Sequence, residues 1–345
     1  MKAYYADEQK RHDPKAFLSS GAPQPNPEQP ERVERLKAGA LAAGCSIERP
    51  RDHGLGPIAA VHTPEYLDFL EHIFERWQRI EGASEEVIPN IHPLARTGSY
   101  PASAVGQAGY HMADTACPIS ADTWNSTLWS AWSAVDAAEA VLSGEPAAYA
   151  LCRPPGHHAF ADVAGGFCFI NNSAVAAQVL RSRAARVAIL DVDLHHGNGT
   201  QGIFYTRPDV LTVSIHADPV RFYPFFWGHA DERGEGPGLG YNLNLPLPRK
   251  SGDDAFLEAL HTAFRRIRSF APDALVIALG LDAFEGDPFG GLSVSTPGFA
   301  RIGEAIGRLG LPTVIVQEGG YLCDALSANL TSFLSGFGAS HRQSR

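Results

Sequence analysis

The sequence predicts an α/β protein built on a central parallel sheet with helices on both faces. Three observations predict it. Short, continuous apolar runs such as VAIL at 187–190 and ALVIAL at 274–279 fit strands covered on both sides. Helical patterns alternate with those runs, as right-handed βαβ units require. Polar, titratable clusters directly follow four of the runs, at the strand edge where open parallel sheets bind ligands.

Taken in order, the stretch 19–30 (SSGAPQPNPEQP) is polar and proline-rich and predicts irregular surface chain. Helical patterns follow over 31–43 and 63–77. Between about Gly82 and Trp124 the text changes: Pro89, Pro93, Pro101 and Pro118 interrupt it and little periodicity survives. A structureless stretch of that length is unusual inside a compact domain, so it reads as an insertion with a purpose. Regular alternation resumes with helix 132–142, strand 147–152, helix 173–183, and strands 186–191 and 210–215. Beyond the glycine-rich 233–240, a helix over 253–269 presents Phe256, Leu257, Leu260, Phe264 and Ile267 on one face. Strand 274–280, helix 297–309, strand 312–317 and helix 322–334 complete the pattern. The expectation is one domain over 1–345 with a loop insertion at about 82–124.

Composition excludes several classes. A formal net charge of −10 opposes non-specific nucleic-acid binding and favours cationic partners. No apolar run reaches membrane-spanning length, and Met1-Lys2-Ala3-Tyr4-Tyr5 lacks the apolar core of a signal peptide. A cytoplasmic protein with neither nucleic-acid nor membrane partner is expected. The five cysteines (Cys45, Cys117, Cys152, Cys168, Cys323) are scattered and form no C-x-x-C pair, so they read as buried free thiols.

Chemistry collects at the strand ends. One strand runs out into Arg153-Pro-Pro-Gly-His157-His158, the next into Asp191-Val-Asp193-Leu-His195-His196-Gly-Asn198, a third into Gly280-Leu-Asp282, a fourth into Glu318-Gly-Gly-Tyr321. Asp191, Asp193 and His195 share the period of an extended chain, so their side chains leave on one side. Asp193, His195 and Asp282 form a hard, cysteine-free donor set with room for open coordination positions. Such a set suits catalytic Zn²⁺ and would also accept Fe²⁺ or Co²⁺. His157 and His158 are placed to move a proton between water and a leaving amine, with Asp191 and Asn198 as the groups that fix their tautomers. Tyr321, after two glycines, is placed to donate its phenol to an oxyanion. Each feature alone has a plainer reading: Asp282 as an N-cap, the His-His pair as polar loop, Tyr321 as a turn residue. Four such clusters at equivalent strand ends favour the functional one.

RPPGHH, LDVDLHHGNGT, GLDAFEGDP and EGGY resemble the zinc-dependent histone deacetylase family, most closely its bacterial acetylpolyamine amidohydrolase and class II-like branch. The stretch Val61-His62-Thr-Pro-Glu-Tyr66 is similar as well. The resemblance implies the arginase-deacetylase fold, with Asp193, His195 and Asp282 as zinc ligands, Tyr321 as oxyanion donor, His158 as general base and acid, and His157 as its electrostatic companion. It implies a structural K⁺ held by Asp191, Asp193, His195, Ser214 and Ile215, and a second at Phe204, Arg207, Val210 and Tyr241. A substrate tunnel between Gly166-Phe167 and Tyr223 is also implied. Asn198 stands where many histone-directed members carry Asp. The 82–124 insertion resembles that branch's dimerising loop through Gln107-x-Gly-Tyr110 and Thr123-Trp124, which implies a homodimer. Aligned without gaps, Val105 and Ala116 stand where the branch carries acidic residues, and Asp114 is the nearest acid. The function so implied is hydrolysis of small acetylated amines. A protein acetyl-lysine deacetylase and a non-catalytic acyl-ligand binding protein are the alternatives.

Overall fold

The computed structural model describes residues 1–344. A short strand β1 (Lys2–Tyr4) leads to two strands of a hairpin, β2 (Ala16–Ser19) and β3 (Ala22–Pro25), then α1 (Glu31–Ala42), β4 (Ser46–Glu48) and a single turn α2 (Gly56–Ala59). Three helices follow: α3 (Pro64–Trp77), α4 (Ala104–His111) and α5 (Thr123–Leu142). The alternating part runs β5 (Ala147–Ala150), α6 (Asn172–Leu180), β6 (Val187–Asp191), α7 (Asn198–Phe204), β7 (Val210–Ala217), β8 (Asn242–Leu247) and α8 (Asp253–Phe270). It closes with β9 (Ala274–Leu279), α9 (Thr296–Gly307), β10 (Thr313–Gln317) and α10 (Leu326–Gln343).

Eight strands form one sheet in the order β4-β1-β5-β10-β9-β6-β7-β8, every pair parallel. The apolar runs explain the burial, because successive residues of a strand serve opposite faces. Val187 and Ile189 join Ala134, Ala137 and Ala177 of α5 and α6 on one face. Ala188 and Leu190 join Leu260, Phe299 and Phe333 of α8, α9 and α10 on the other. Each such Val, Leu, Ile or Phe taken fully from water contributes about 1.5–3 kcal/mol. On the second face α9 and α10 meet almost backbone to backbone: a Cβ on Gly303 would stand 2.2 Å from the Phe333 carbonyl oxygen.

The sheet order places β5, β10, β9 and β6 side by side at its centre. These are the four strands whose ends carry the polar clusters. The chain passes from β5 to β6, moves outward through β7 and β8, and returns to fill the gap with β9 and β10. Four loops far apart in sequence therefore share one edge.

Several sequence expectations need correction. The stretch 19–30 is not simply surface chain: β3 pairs with β2 in an antiparallel hairpin, and Asn26 and Glu28 are buried. Helix α5 begins at Thr123 rather than 132. It carries the buried serines Ser126, Ser130 and Ser133, whose hydroxyls bond the carbonyls of Glu8, Pro154 and Trp129, and this hides the buried face from an apolar pattern. The 82–124 stretch contains α4, started by Ser103, whose hydroxyl accepts from Gly106 N at 3.1 Å. Strand β8 escaped notice because Asn242 and Asn244 face inward and Pro246 interrupts it, which an edge strand tolerates. The three-residue strands β1 and β4 carry too short a pattern to read. Helix α10 starts at Leu326, four residues later than expected.

Four of the cysteines are buried, Cys323 is partly so, and all five are free thiols. Among the described residues no helix is long and apolar enough to cross a membrane.

Candidate active site

At the end of β6 the chain leaves the sheet in steps fixed by its own side chains. Asp191 Oδ1 accepts from Asp193 N at 3.0 Å, and Asp193 Oδ1 accepts from His195 N at 2.8 Å. Asp282, from the end of β9, accepts from Leu194 N at 3.1 Å, and its other oxygen lies 3.0 Å from His195 Nδ1. Donor atoms of Asp193, His195 and Asp282 all lie within 4.8 Å of one another. The turn after β10 closes over them, with Gly319 N donating to Asp193 Oδ2 at 2.8 Å. A Cβ on Gly319 would stand 2.4 Å from Asp282 Oδ2 and 2.6 Å from Asp193 Oδ2, so the turn requires glycine.

This group has the donor chemistry of a divalent-cation site. Both carboxylates are fully buried, and no lysine or arginine pairs with either among the described residues. Burial and the neighbouring Asp193 push the Asp282 carboxyl up. Burial opposes a charged His195, yet Asp193 and Asp282 outweigh it and hold the imidazole up to about 9. Two other groups of suitable residues fit a metal less well. Glu318, beside His157 and Cys168, already accepts from Gly156 N, His157 N and Ser173 Oγ. Asp136 and Glu139, beside His53, already hold the Arg51 guanidinium.

His157 and His158 follow the end of β5, their ring centroids 4.0 Å apart. His157 Nδ1 is 2.9 Å from Asp191 Oδ2, and His158 Nδ1 is 2.7 Å from Asn198 Oδ1, at the first residue of α7. Burial works against a charged His157, but Asp191 and Asp193 hold its imidazole up to about 10. Burial, reinforced by His157 and His195, keeps the His158 imidazole well below the ordinary histidine value. With Nδ1 bonded to an amide oxygen, His158 carries its proton there and leaves Nε2 as an acceptor.

Tyr321 is 4% exposed, its ring 4.7 Å from that of Phe289 and 5.9 Å from that of Phe167. Burial pushes the phenol well above its ordinary value, so it stays a donor. Its backbone is fixed by Tyr321 N donating to Asp287 Oδ2 at 3.0 Å.

A cavity of about 520 Å³ opens over these groups, reaching His158, His195 and Tyr321 at its floor. Gly166, Phe167 and Tyr223 line its wall. The Tyr223 ring stands 4.9 Å from the His158 ring, perpendicular to it. Gly166 has φ +51°, and a Cβ there would stand 2.5 Å from His158 Cδ2. Asp114 and Ala116, at the end of the 82–124 stretch, lie at the mouth, whereas Val105 packs against the cluster around Tyr66 and Trp132.

The remaining predicted residues fall nearby. Asp191 and Ser214 are cross-strand partners of β6 and β7 and line a void of about 10 Å³, the scale of a single water or ion. Ile215 follows on β7. Phe204 ends α7, Arg207 pairs with Asp209, Val210 starts β7, and the Tyr241 carbonyl accepts from Thr212 N.

Sequence reasoning missed several groups. Glu318 and Asp287 lie in the EGGY and GLDAFEGDP motifs, but Gly156, His157 and Ser173, which Glu318 serves, and Tyr321, which Asp287 serves, are distant in sequence; burial pushes both carboxyls up to about 7, helped at Asp287 by Asp282. Arg32, Glu28 and Arg153 form a buried ionic group beneath the Tyr321 turn. Phe17 and Leu18 of the hairpin border the cavity, a role no local signal carried.

Residues 26–337 match the histone deacetylase domain family. The chain is 52% identical over 340 residues to the acetylpolyamine amidohydrolase of Burkholderia pseudomallei (strain 1710b), covering 98% of this chain and 99% of that one. It is 45% identical over 342 residues to acetylpolyamine amidohydrolase 1 of Pseudomonas aeruginosa, covering 98% and 99%. A crystal structure of the acetylpolyamine aminohydrolase from Burkholderia pseudomallei superposes with a TM-score of 0.96 over 99% of both chains, at 52% identity. The HDA15 HD domain superposes with a TM-score of 0.79 at 29% identity, over 98% of this chain and 89% of that one.

Proposed function

The chain belongs to the histone deacetylase family and is an amide-hydrolysing deacetylase, and we propose that it removes the acetyl group from small acetylated amines, with Zn²⁺ held by Asp193, His195 and Asp282. The names of its full-length relatives support the substrate class. The observation that carries the site assignment is that His195, grouped with the buried carboxylates of Asp193 and Asp282, meets His158 and the Tyr321 phenol at the floor of one cavity. Zn²⁺ bound there would polarise the amide carbonyl and lower the pKa of water toward ~7.

The protein's own groups do the rest. His158, held by Asn198, accepts a proton from water at Nε2 and returns it to the departing amine nitrogen. His157, paired with Asp191, stays protonated beside it and offsets negative charge in the site. Tyr321 donates its hydroxyl to the oxygen that gains charge as the carbonyl is attacked. Gly166, Phe167 and Tyr223 hold the aliphatic arm, and the glycine leaves room for His158.

Two further parts belong to this proposal. A structural K⁺ is held by Asp191, Asp193, His195, Ser214 and Ile215, which the small void lined by Asp191 and Ser214 supports, and Phe204, Arg207, Val210 and Tyr241 take a second. The 82–124 segment pairs two copies into a homodimer, which its exposed Ile91, Leu94 and Tyr100 support; a monomeric mass by light scattering would refute this. Free thiols suit the cytoplasm as its compartment.

The test of the metal assignment is Asp282→Ala. Elemental analysis of the purified variant should find the zinc lost, together with turnover of N-acetylcadaverine. Full zinc content with normal turnover would overturn the assignment.

A further inference from the structure

Apart from the histidines at its floor, the described residues that line the cavity include one carboxylate and one guanidinium, Asp114 and Arg221. Asp114 is fixed in place. Its Oδ2 accepts from the Tyr223 hydroxyl at 2.7 Å and from Gly166 N at 3.1 Å, and its Oδ1 accepts from Ala116 N at 2.8 Å. A carboxylate offers about four acceptor positions, and beyond these three only the weakly donating Cys117 thiol reaches it, so a ligand ammonium can take the fourth. Arg221 ends the short turn Pro219–Arg221, which the Asp218 side chain closes by accepting from Val220 N at 3.0 Å. Its guanidinium makes no ion pair or hydrogen bond among the described residues. An acid with a spare acceptor thus shares the mouth with a cation that has no partner.

Those charges discriminate between substrates. The distal ammonium of an acetylated diamine would be drawn to Asp114 and repelled by Arg221. A head group carrying both an ammonium and a carboxylate would satisfy both. The distance from mouth to floor is short: Asp114 touches the Tyr223 hydroxyl, and the Tyr223 ring is 4.9 Å from the His158 ring. The walls between are the apolar Phe167, Phe222 and Tyr223, suited to a few methylene groups.

We propose that the mouth recognises the zwitterionic head of a free α-amino acid acetylated on its side-chain amine, Arg221 binding the carboxylate and Asp114 the ammonium. Nε-acetyl-lysine is the type compound. This inference rests on the deacetylase reading of the cavity and adds the identity of the group at its mouth. A lysine within a peptide chain lacks both charges, because its α-amine and carboxyl are amides.

N-acetylcadaverine differs from Nε-acetyl-lysine only by the α-carboxylate, so the ratio of their kcat/KM values isolates that group. The zinc-loaded wild-type enzyme should prefer Nε-acetyl-lysine by about fivefold, the upper range for an exposed ion pair, and less in high salt. Arg221→Gln should lower kcat/KM for Nε-acetyl-lysine by about the same factor and raise it for N-acetylcadaverine. Arg221→Lys should retain the preference. A wild-type preference for N-acetylcadaverine, or an equal loss on both compounds in Arg221→Gln, would overturn the inference and leave the deacetylase reading standing. Turnover of neither compound would overturn both.

Discussion

Replacing Asn198 by Asp tests the division of labour between the two histidines. His157 and His158 are adjacent, both buried, and both hydrogen-bonded through Nδ1, at 2.9 Å to the Asp191 carboxylate and 2.7 Å to the Asn198 amide. The carboxylate-bound imidazole is held up to about 10 against the cost of burial, whereas the amide-bound one stays well below the ordinary value. The pair is therefore its own control, and the chief difference is the charge of the partner. Asn198→Asp keeps the shape and adds a negative charge about 4 Å from the imidazolium centre; at an effective dielectric of ~20 the attraction is about 4 kcal/mol, or ~3 pKa units. Ionising the new carboxylate near Asp191 and Asp193 takes back part of this, so a rise of about one to three units is expected. The assay is kcat/KM for N-acetylcadaverine against pH. A base must be unprotonated to act, so the limb on which activity falls with acid should move to higher pH, and activity at neutral pH should drop. An unmoved limb, with fold and zinc content intact, would refute the role of His158 as base.

Tyr321→Phe keeps the ring between Phe167 and Phe289 but removes one donor, so kcat should fall by about 10²–10³ with KM little changed. A loss confined to KM would make Tyr321 a substrate-positioning group. His62 gives a pH prediction for stability: it is buried, accepts from Asn171 N at 2.9 Å through Nε2, and burial lowers its pKa to about 4. The folded value lies below the unfolded one, so the unfolded chain binds more protons between about pH 4 and 6.5 and stability falls as pH drops through that window, by about 2 kcal/mol from pH 7 to pH 5. Denaturation of wild type and His62→Gln at both pH values checks it; an equal pH dependence in the two would show that His62 does not carry the effect.

The parts of this protein legible in sequence are those whose signal is local. Asp191, Asp193 and His195 follow a run buried on both faces at the spacing of a strand, so their direction could be inferred without knowing any partner. Asp282 and Tyr321 could be placed because their strands were equally plain. Asp114 and Arg221 are different: they face the same cavity only because the 82–124 segment and the loop after β7 meet across it. The hairpin of β2 and β3 reads as polar, proline-rich chain, and what orders it lies elsewhere, as in the Thr115 hydroxyl bonded to the Leu18 carbonyl. Glu318 sat in a recognised motif, yet its work depends on Gly156, His157 and Ser173, each more than a hundred residues away. Distance along the chain, rather than chemical ambiguity, sets the limit.

The same separation explains a buried guanidinium beneath the site. Closing the β10 turn over Asp193 and Asp282 requires glycine at 319, and Gly320 follows with φ +112°, so the segment carrying Tyr321 is built from the two most permissive residues available. An oxyanion donor needs the opposite property, a fixed position before the reaction begins. Arg32, from the first turn of α1, supplies it. Its Nε donates to the Gly320 carbonyl at 2.6 Å and its Nη2 to the Glu318 carbonyl at 2.8 Å, while its Cζ lies 4.9 Å from the centre of the Tyr321 ring. Burying that charge costs several kcal/mol, and Glu28, paired with Arg32 at 2.5 Å and with Arg153 at 2.9 Å, offsets it. The glycines make room for the carboxylates, and the arginine restores the rigidity they remove.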